Sequence, residues 1–245
     1  MIDRGQDRQQ VAWDIETTGF AWSDQITVSG FWLPNNTAEL IINTNETTLE
    51  QRMVEKRLTD SSGGVSVSVT TAANENELLR AMQEFLFDRF DTQYNRLIAF
   101  NAESWKGGFD LPFLRTRCIK HNTEWVFDGL QFADLWEPLK KRLNTTHVAF
   151  GGSTSINSLT GAHELLLDDP HATVSPDTND AVEHSWYQDM QYDPFEDSGS
   201  AVACYNRNDL FPILQHNLAD VHRTWELGEV VRAFVSSKDI TTKKL

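Results

Sequence analysis

The stretch Val11-Ala12-Trp13-Asp14-Ile15-Glu16-Thr17-Thr18-Gly19-Phe20 reads as a strand that runs into a glycine turn. A strand sends successive side chains to opposite faces, so Asp14 and Glu16 share one face while Trp13 and Ile15 take the other. Two neighbouring carboxylates raise each other's pKa. A shared proton or a divalent cation relieves them, and oxygen ligands point to magnesium or manganese. The spacing alone carries little, because 36 acidic residues in 245 give about five acidic-x-acidic pairs by chance. The setting carries more: the pair closes an apolar strand in front of Gly19, near the start of the chain.

Working outward, 245 residues suit one α/β domain with a sizeable core. Residues 1–10 read as a flexible lead-in, 11–235 as that domain, and 236–245 as a C-terminal tail. Cys118 and Cys204 form no CxxC pair and no secretory leader is visible, so an intracellular protein with reduced structural thiols is expected. No apolar run is long enough to cross a bilayer. The net charge of −15 argues against a generic basic nucleic-acid binder. A metal site weakens that objection, since it brings its own positive charge to a phosphate. Arginine outnumbers lysine, 13 to 8, and Asp, Asn and Thr are frequent, a bias that suits high salt and a halophilic organism or its virus as source.

Gln25 to Leu33 and Ala38 to Asn43 read as strands across a Pro34-Asn35-Asn36 turn, so the chain opens with an antiparallel meander. Thr47 to Leu58 reads as a helix. Val65-Ser66-Val67-Ser68-Val69, after Gly63-Gly64, alternates as a strand does. Asn74 to Phe90 carries Leu78, Leu79, Met82, Phe85, Leu86 and Phe90 at helical spacing, with Asn74 and Glu77 placed to cap it. Arg96 to Asn101 returns as a buried strand, and strand-helix-strand order implies parallel pairing with crossover helices. Phe132 to Leu135 is a short strand entering a basic helix with Lys140, Lys141 and Arg142, a solvated face or a phosphate contact. Ser155 to Leu167 reads as helical. An acidic insert around 168–198 falls within residues 143–206, which hold no lysine or arginine; it should face away from nucleic acid, and Trp186, Tyr187, Tyr192 and Phe195 imply that its second half packs against something. The histidines, His216 and His222 among them, show no HxH or HExxH spacing and read as surface or core residues.

Two further stretches repeat the opening logic. In Asn101 to Leu114 a strand runs into a glycine-rich loop, and Asp110 in Phe109-Asp110-Leu111-Pro112-Phe113-Leu114 stands at the start of a helix, as N-cap or as a holder of metal-bound water. Trp105 in that loop reads as a core edge or a platform for a base. In Tyr205-Asn206-Arg207-Asn208-Asp209, four residues separate a phenol from a carboxylate, which puts both on one helical face, with Pro212 predicting a kink just beyond.

Asp14 and Glu16 in Asp-Ile-Glu-Thr-Thr-Gly, Asp110 in Phe-Asp-Leu-Pro-Phe-Leu, and Tyr205 with Asp209 in Tyr-x-x-x-Asp together resemble the DEDD superfamily of 3′-to-5′ exonucleases. The tyrosine subclass, which includes the proofreading domains of family B DNA polymerases, is the nearer one, because the histidine subclass needs a histidine where Cys204 stands. The resemblance spans residues 11 to about 215; it leaves no room for a polymerase module, and the loop before Phe109 is longer than the family's spacer. It implies an α/β ribonuclease H-like fold, a mixed central sheet of antiparallel meander plus parallel strands flanked by helices. It further implies two Mg²⁺ or Mn²⁺ ions held by Asp14, Glu16, Asp110 and Asp209, a water oriented by Tyr205, and release of nucleoside 5′-monophosphates from single-stranded or frayed DNA. Thr17, Phe20 and Asn101 would touch the terminal nucleotide. A monomer with no membrane contact is expected, serving a polymerase or repair complex. An RNA-directed exonuclease and a non-catalytic module that grips nucleic-acid ends or a polymerase are the alternatives.

Overall fold

A computed structural model describes residues 8–62, 65–103, 109–149, 152–155, 158–167, 193–195 and 198–245. β1 (Gln9–Thr17) lies in the middle of a mixed seven-stranded sheet, antiparallel to β2 (Ile26–Leu33) and parallel to β5 (Asn95–Ala99). β2 continues the expected meander into β3 (Thr37–Asn43), and β4 (Ser66–Ala72) adds to β3 in parallel at one edge. On the other side β6 (Gln131–Asp134) runs parallel to β5.

Helices cover both faces. Alternation along β1 sends Val11, Trp13 and Ile15 into one core with Leu78, Leu79 and Met82 of α2 (Glu75–Arg89) and Leu111 and Leu114 of α3 (Asp110–His121). Ala12 faces the opposite core, built from α1 (Gln51–Ser61), α4 (Trp136–Arg142), α5 (Leu159–Leu167), α6 (Ser198–Asn206) and the long α7 (Phe211–Phe234). Cys118 and Cys204 are both free and buried, one on each face. Among the described residues no helix is long and apolar enough to cross a membrane.

Several expectations shift. The first helix begins at Gln51 rather than Thr47. The helix expected from Ser155 is found over Leu159–Leu167, and Ser155 instead pairs with Thr146 in a hairpin of β7 (Thr146–Ala149) and β8 (Gly152–Ser155). Part of the C-terminal tail is a strand, β9 (Thr242–Lys244), paired with β6 at the sheet edge. The lead-in ends earlier than residue 10, since Gln9 opens β1 and the buried Gln10 donates to the Gly228 carbonyl at 3.1 Å. Gly63-Gly64, Trp105, and residues 168–192 with 196 and 197 of the acidic insert, including Trp186, Tyr187 and Tyr192, lie outside the described residues.

The predicted cap on α2 is present in both directions. Asn74 Oδ1 accepts from Glu77 N at 3.1 Å, and Glu77 Oε2 accepts from Ala73 N at 2.9 Å. Asn74→Ala is therefore expected to cost about 1 kcal/mol. Thermal unfolding of the variant should show a midpoint lowered by roughly 2–4 °C.

Candidate functional site

The carboxyl end of β1 faces α7, and Asp14 sits opposite Gly30 of β2. A side chain at position 30 would have no room, because its Cβ would fall 2.0 Å from Asn217 Oδ1 of α7. Through that gap Asn217 Nδ2 donates to Asp14 Oδ2 at 2.9 Å and fixes the carboxylate. The register of β1 slips between Glu16 and Thr17, and the strand gives way to the loop of residues 18–25. Gly19 holds φ +153° there, and a Cβ at that position would meet Asp24 Oδ2 at 2.6 Å.

A buried ion pair braces this loop. Glu75 Oε1 accepts from Ile26 N at 2.8 Å and from Arg117 Nε at 2.7 Å, the second Arg117 nitrogen closes on Oε2, and Arg117 NH1 reaches the Trp22 carbonyl at 2.8 Å. The start of α2, α3 and the 18–25 loop are thereby tied together.

Asp110 enters from the other side. Phe109, not Asp110, is the N-cap, and it makes no side-chain cap bond; Asp110 is the first helical residue, so the capping role expected of it falls one residue earlier. Residues 101–103, just after β5, are held by Asp134, whose carboxylate accepts from the backbone N–H groups of Asn101, Glu103 and, at the start of α4, Trp136 at 2.9–3.0 Å. α7 supplies the remaining groups: His216 and Asp220, four residues apart, share its inward face. His216 Nε2 lies 3.5 Å from Glu16 Oε1 and 3.8 Å from Asp220 Oδ2. One ligand atom from each of Glu16, His216 and Asp220 falls within 4.8 Å of the others.

These groups line a cleft of about 330 Å³. Asp14, Glu16, Asp110, His216 and Asp220 bear its chemistry; Thr17, Phe20 and Phe109 form one side, and Gly199 and Val202 of α6 also line it. Phe20 is 76% exposed and meets the Phe109 ring edge-on at 4.6 Å. The Thr17 hydroxyl donates to the Gly19 carbonyl at 3.0 Å.

The electrostatics follow from crowding acids in a buried place. Burial, and then the charges of Glu16, Asp220 and Asp110, hold the Asp14 carboxyl well above the usual carboxylate range. Asp110 is raised likewise by burial and by Glu16, Asp134 and Asp220. Burial lifts Glu16 to about 7 against the opposing pull of His216. Burial lowers the pKa of His216, but its bond to Asp193 and the charges of Asp220, Glu16 and Asp193 overcome this and hold it at about 10. Among the described residues no lysine or arginine pairs with Asp14, Glu16 or Asp110. A set of hard oxygen donors with so little side-chain compensation fits divalent cations of the magnesium and manganese type.

The structure thus brings Asp14, Glu16, Asp110, Thr17 and Phe20 to one cleft and leaves Tyr205, Asp209 and Asn101 out of its lining. Tyr205 and Asp209 do not share a helical face, because α6 stops at Asn206. Asn208 adopts φ +59°, Asp209 N donates to the Cys204 carbonyl at 3.0 Å, and Asn208 N donates to the Tyr205 carbonyl at 2.9 Å, a Schellman termination. The kink predicted at Pro212 is in fact this break, with Pro212 in the first turn of α7. Asp209 is exposed. Tyr205 is 5% exposed in the core with its hydroxyl 3.4 Å from Gln25 Nε2, and burial, with the Glu75 charge, raises its phenol pKa. Asn101 occupies the left-handed region at φ +58°, and its buried Oδ1 has no hydrogen-bond partner among the described residues.

His216, Asn217 and Asp220 were not singled out by motif. Yet His216-Asn217-Leu218-Ala219-Asp220 repeats the ring-x-x-x-carboxylate spacing of Tyr205 and Asp209 eleven residues on (220 − 209 = 11). It does so inside an uninterrupted helix. The basic residues of α4 are engaged with neighbours: Lys141 with Glu137 at 3.0 Å, Arg142 with Asp239 at 2.6 Å, and Lys140 over the Trp136 ring at 4.3 Å. No protein-family model matches the chain, and a search of the curated proteins finds no match either.

Proposed function

We propose that this chain is a divalent-cation-dependent 3′-to-5′ exonuclease of ribonuclease H-like fold, with Asp220 in place of Asp209 as the fourth carboxylate and His216 in place of Tyr205 as the ring beside it. The observation that carries this reading is the meeting of Asp14 and Glu16 of β1, Asp110 of α3 and Asp220 of α7 in one cleft, where burial and mutual repulsion raise the pKa values of the first three. Order along the sheet supports the fold: an antiparallel meander, then parallel strands, with the acids at the carboxyl end of the central strand.

Asp14, Glu16, Asp110 and Asp220 would hold two Mg²⁺ or Mn²⁺ ions. When bound, such a pair polarises a phosphodiester, lowers the pKa of water and stabilises the leaving oxygen. Asn217 keeps Asp14 oriented through its 2.9 Å bond. The His216 ring, set between Glu16 and Asp220, is held protonated by the carboxylates around it. With bound cations neutralising that negative charge, Nε2 would be the ring atom facing the site that could take or return a proton. Phe20, exposed and braced edge-on by Phe109, offers an apolar face to a base that has left its stack. A cleft of this size suits one terminal nucleotide rather than a duplex.

The test is incubation with 5′-labelled single-stranded DNA, and separately RNA, in Mg²⁺, Mn²⁺ or EDTA. The expected result is a ladder that shortens from the 3′ end with release of nucleoside 5′-monophosphates, and none in EDTA. Intact label on both polymers with both metals would overturn the proposal and leave an end-binding module.

A further inference from the structure

Residues 193–195 of the acidic insert reach His216, which lines the cleft, from outside every motif recognised in the sequence. We infer that Asp193 and Phe195 are positioning residues for His216, making this end of the insert part of the catalytic apparatus; the inference rests on the exonuclease reading.

Asp193 Oδ1 accepts from His216 Nδ1 at 2.5 Å, and Oδ2 accepts from Arg223 NH1 at 2.7 Å. All three side chains are largely buried, at 15%, 12% and 9% exposure. Asp193 is itself fixed, because Oδ1 also takes the Phe195 N–H at 3.2 Å and so closes a turn around Pro194. The Phe195 ring then meets the imidazole edge-on at 5.4 Å. A hydrogen bond to one nitrogen and an aromatic contact leave the ring little freedom to rotate. With Nδ1 committed to Asp193, only Nε2 faces Glu16 and Asp220.

The second oxygen matters as well. Arg223 NH1 donates to Asp220 Oδ1 at 2.7 Å as well as to Asp193, so the two carboxylates share one guanidinium nitrogen. One carboxylate thus orients the imidazole and, through Arg223, is tied to Asp220.

Proton NMR tests the contact without reference to activity. A short Nδ1–H···O bond places the His216 Nδ1 proton far downfield, and His216→Gln assigns that signal by removing it. In Asp193→Ala the signal is expected to vanish, and kcat on single-stranded DNA to fall 10- to 100-fold with KM within about twofold. Asp193→Asn guards against a variant that fails to fold; its one amide oxygen can accept from Nδ1 only by turning the NH2 toward Arg223, so the signal is expected to move upfield without vanishing and kcat to lie between Asp193→Ala and wild type. A downfield signal that persists in folded Asp193→Ala overturns the contact; a lost signal with unchanged kcat overturns the positioning role. If the wild type degrades no substrate, the exonuclease reading falls on its own and the NMR signal still decides whether Asp193 holds His216.

Discussion

Asp220→Asn is expected to slow single-turnover hydrolysis of single-stranded DNA by roughly 10³-fold, while Asp209→Asn stays within about twofold of wild type. A metal-ion site contributes several kcal/mol of transition-state charge stabilisation, and each 1.36 kcal/mol is tenfold in rate, so losing one anionic ligand costs two to three decades. Asp220 is placed for that loss: it lines the cleft, its charge helps raise the pKa values of Asp14, Glu16 and Asp110, and its oxygen falls within 4.8 Å of ligand atoms of Glu16 and His216. Asp209 has none of these relations and sits exposed in the turn that ends α6. Asparagine is nearly isosteric with aspartate, so both variants should keep the wild-type fold by circular dichroism. The opposite pattern, with Asp209→Asn inactive and Asp220→Asn active, would return the site to the tyrosine motif.

The contrast between these two aspartates shows which parts of the fold and site can be read in one dimension. Asp14 and Glu16 are legible because two-residue alternation fixes their shared face wherever the strand lies in the sheet. Asp110 is legible because a glycine-rich loop, a proline and apolar spacing mark the helix start to within one residue. The meander of β1, β2 and β3 follows from alternation and a turn. The last acid differs in kind: its i,i+4 argument holds only if one helix contains both residues. Asn208 in the left-handed conformation ends α6 before Asp209, and Pro212 is then a first-turn proline rather than a mid-helix one. An asparagine after the last helical residue and a proline shortly beyond it are visible in the sequence as a stop and a restart; reading them so moves the ring and acid pair onto His216 and Asp220. No local pattern reveals Gly30, whose bare Cα admits Asn217, or Asp193, which meets Arg223 thirty positions away and His216 twenty-three away. Those contacts depend on the crossing of α7 over β1 and β2, which sequence periodicity does not encode.

The carboxylate cluster also makes a prediction about stability, in which metal and proton act as rivals. The Glu16 carboxyl is raised from 4.5 to about 7 in the fold, so the folded state keeps this proton at pH values where the unfolded chain has lost it. By linkage, the metal-free protein loses stability from this group as pH rises from about 4.5 to 7, and bears the full cost above that. The span is worth about 3 kcal/mol. Glu16→Gln removes the cost. Without metal at pH 8 the variant should therefore melt several degrees above wild type, since 1 kcal/mol moves the midpoint of a chain this size by roughly 2–4 °C. At pH 5 the advantage should shrink, because wild-type Glu16 is then already protonated in the fold. The buried His222, whose pKa burial lowers to about 4, destabilises both proteins equally as pH falls below about 6.5, so it cancels in the difference. Adding Mn²⁺ at pH 8 reverses the demand on the site. Ligand at 100 times its Kd stabilises the wild type by about 2.7 kcal/mol, whereas the variant, one anionic ligand short, gains much less and the gap closes. Differential scanning fluorimetry of both proteins at pH 5 and 8, with and without Mn²⁺, measures all four corners of this cycle at each pH. Equal metal shifts in wild type and variant would mean that Glu16 holds no cation, and a variant less stable than wild type at pH 8 without metal would mean that His216 already compensates the cluster.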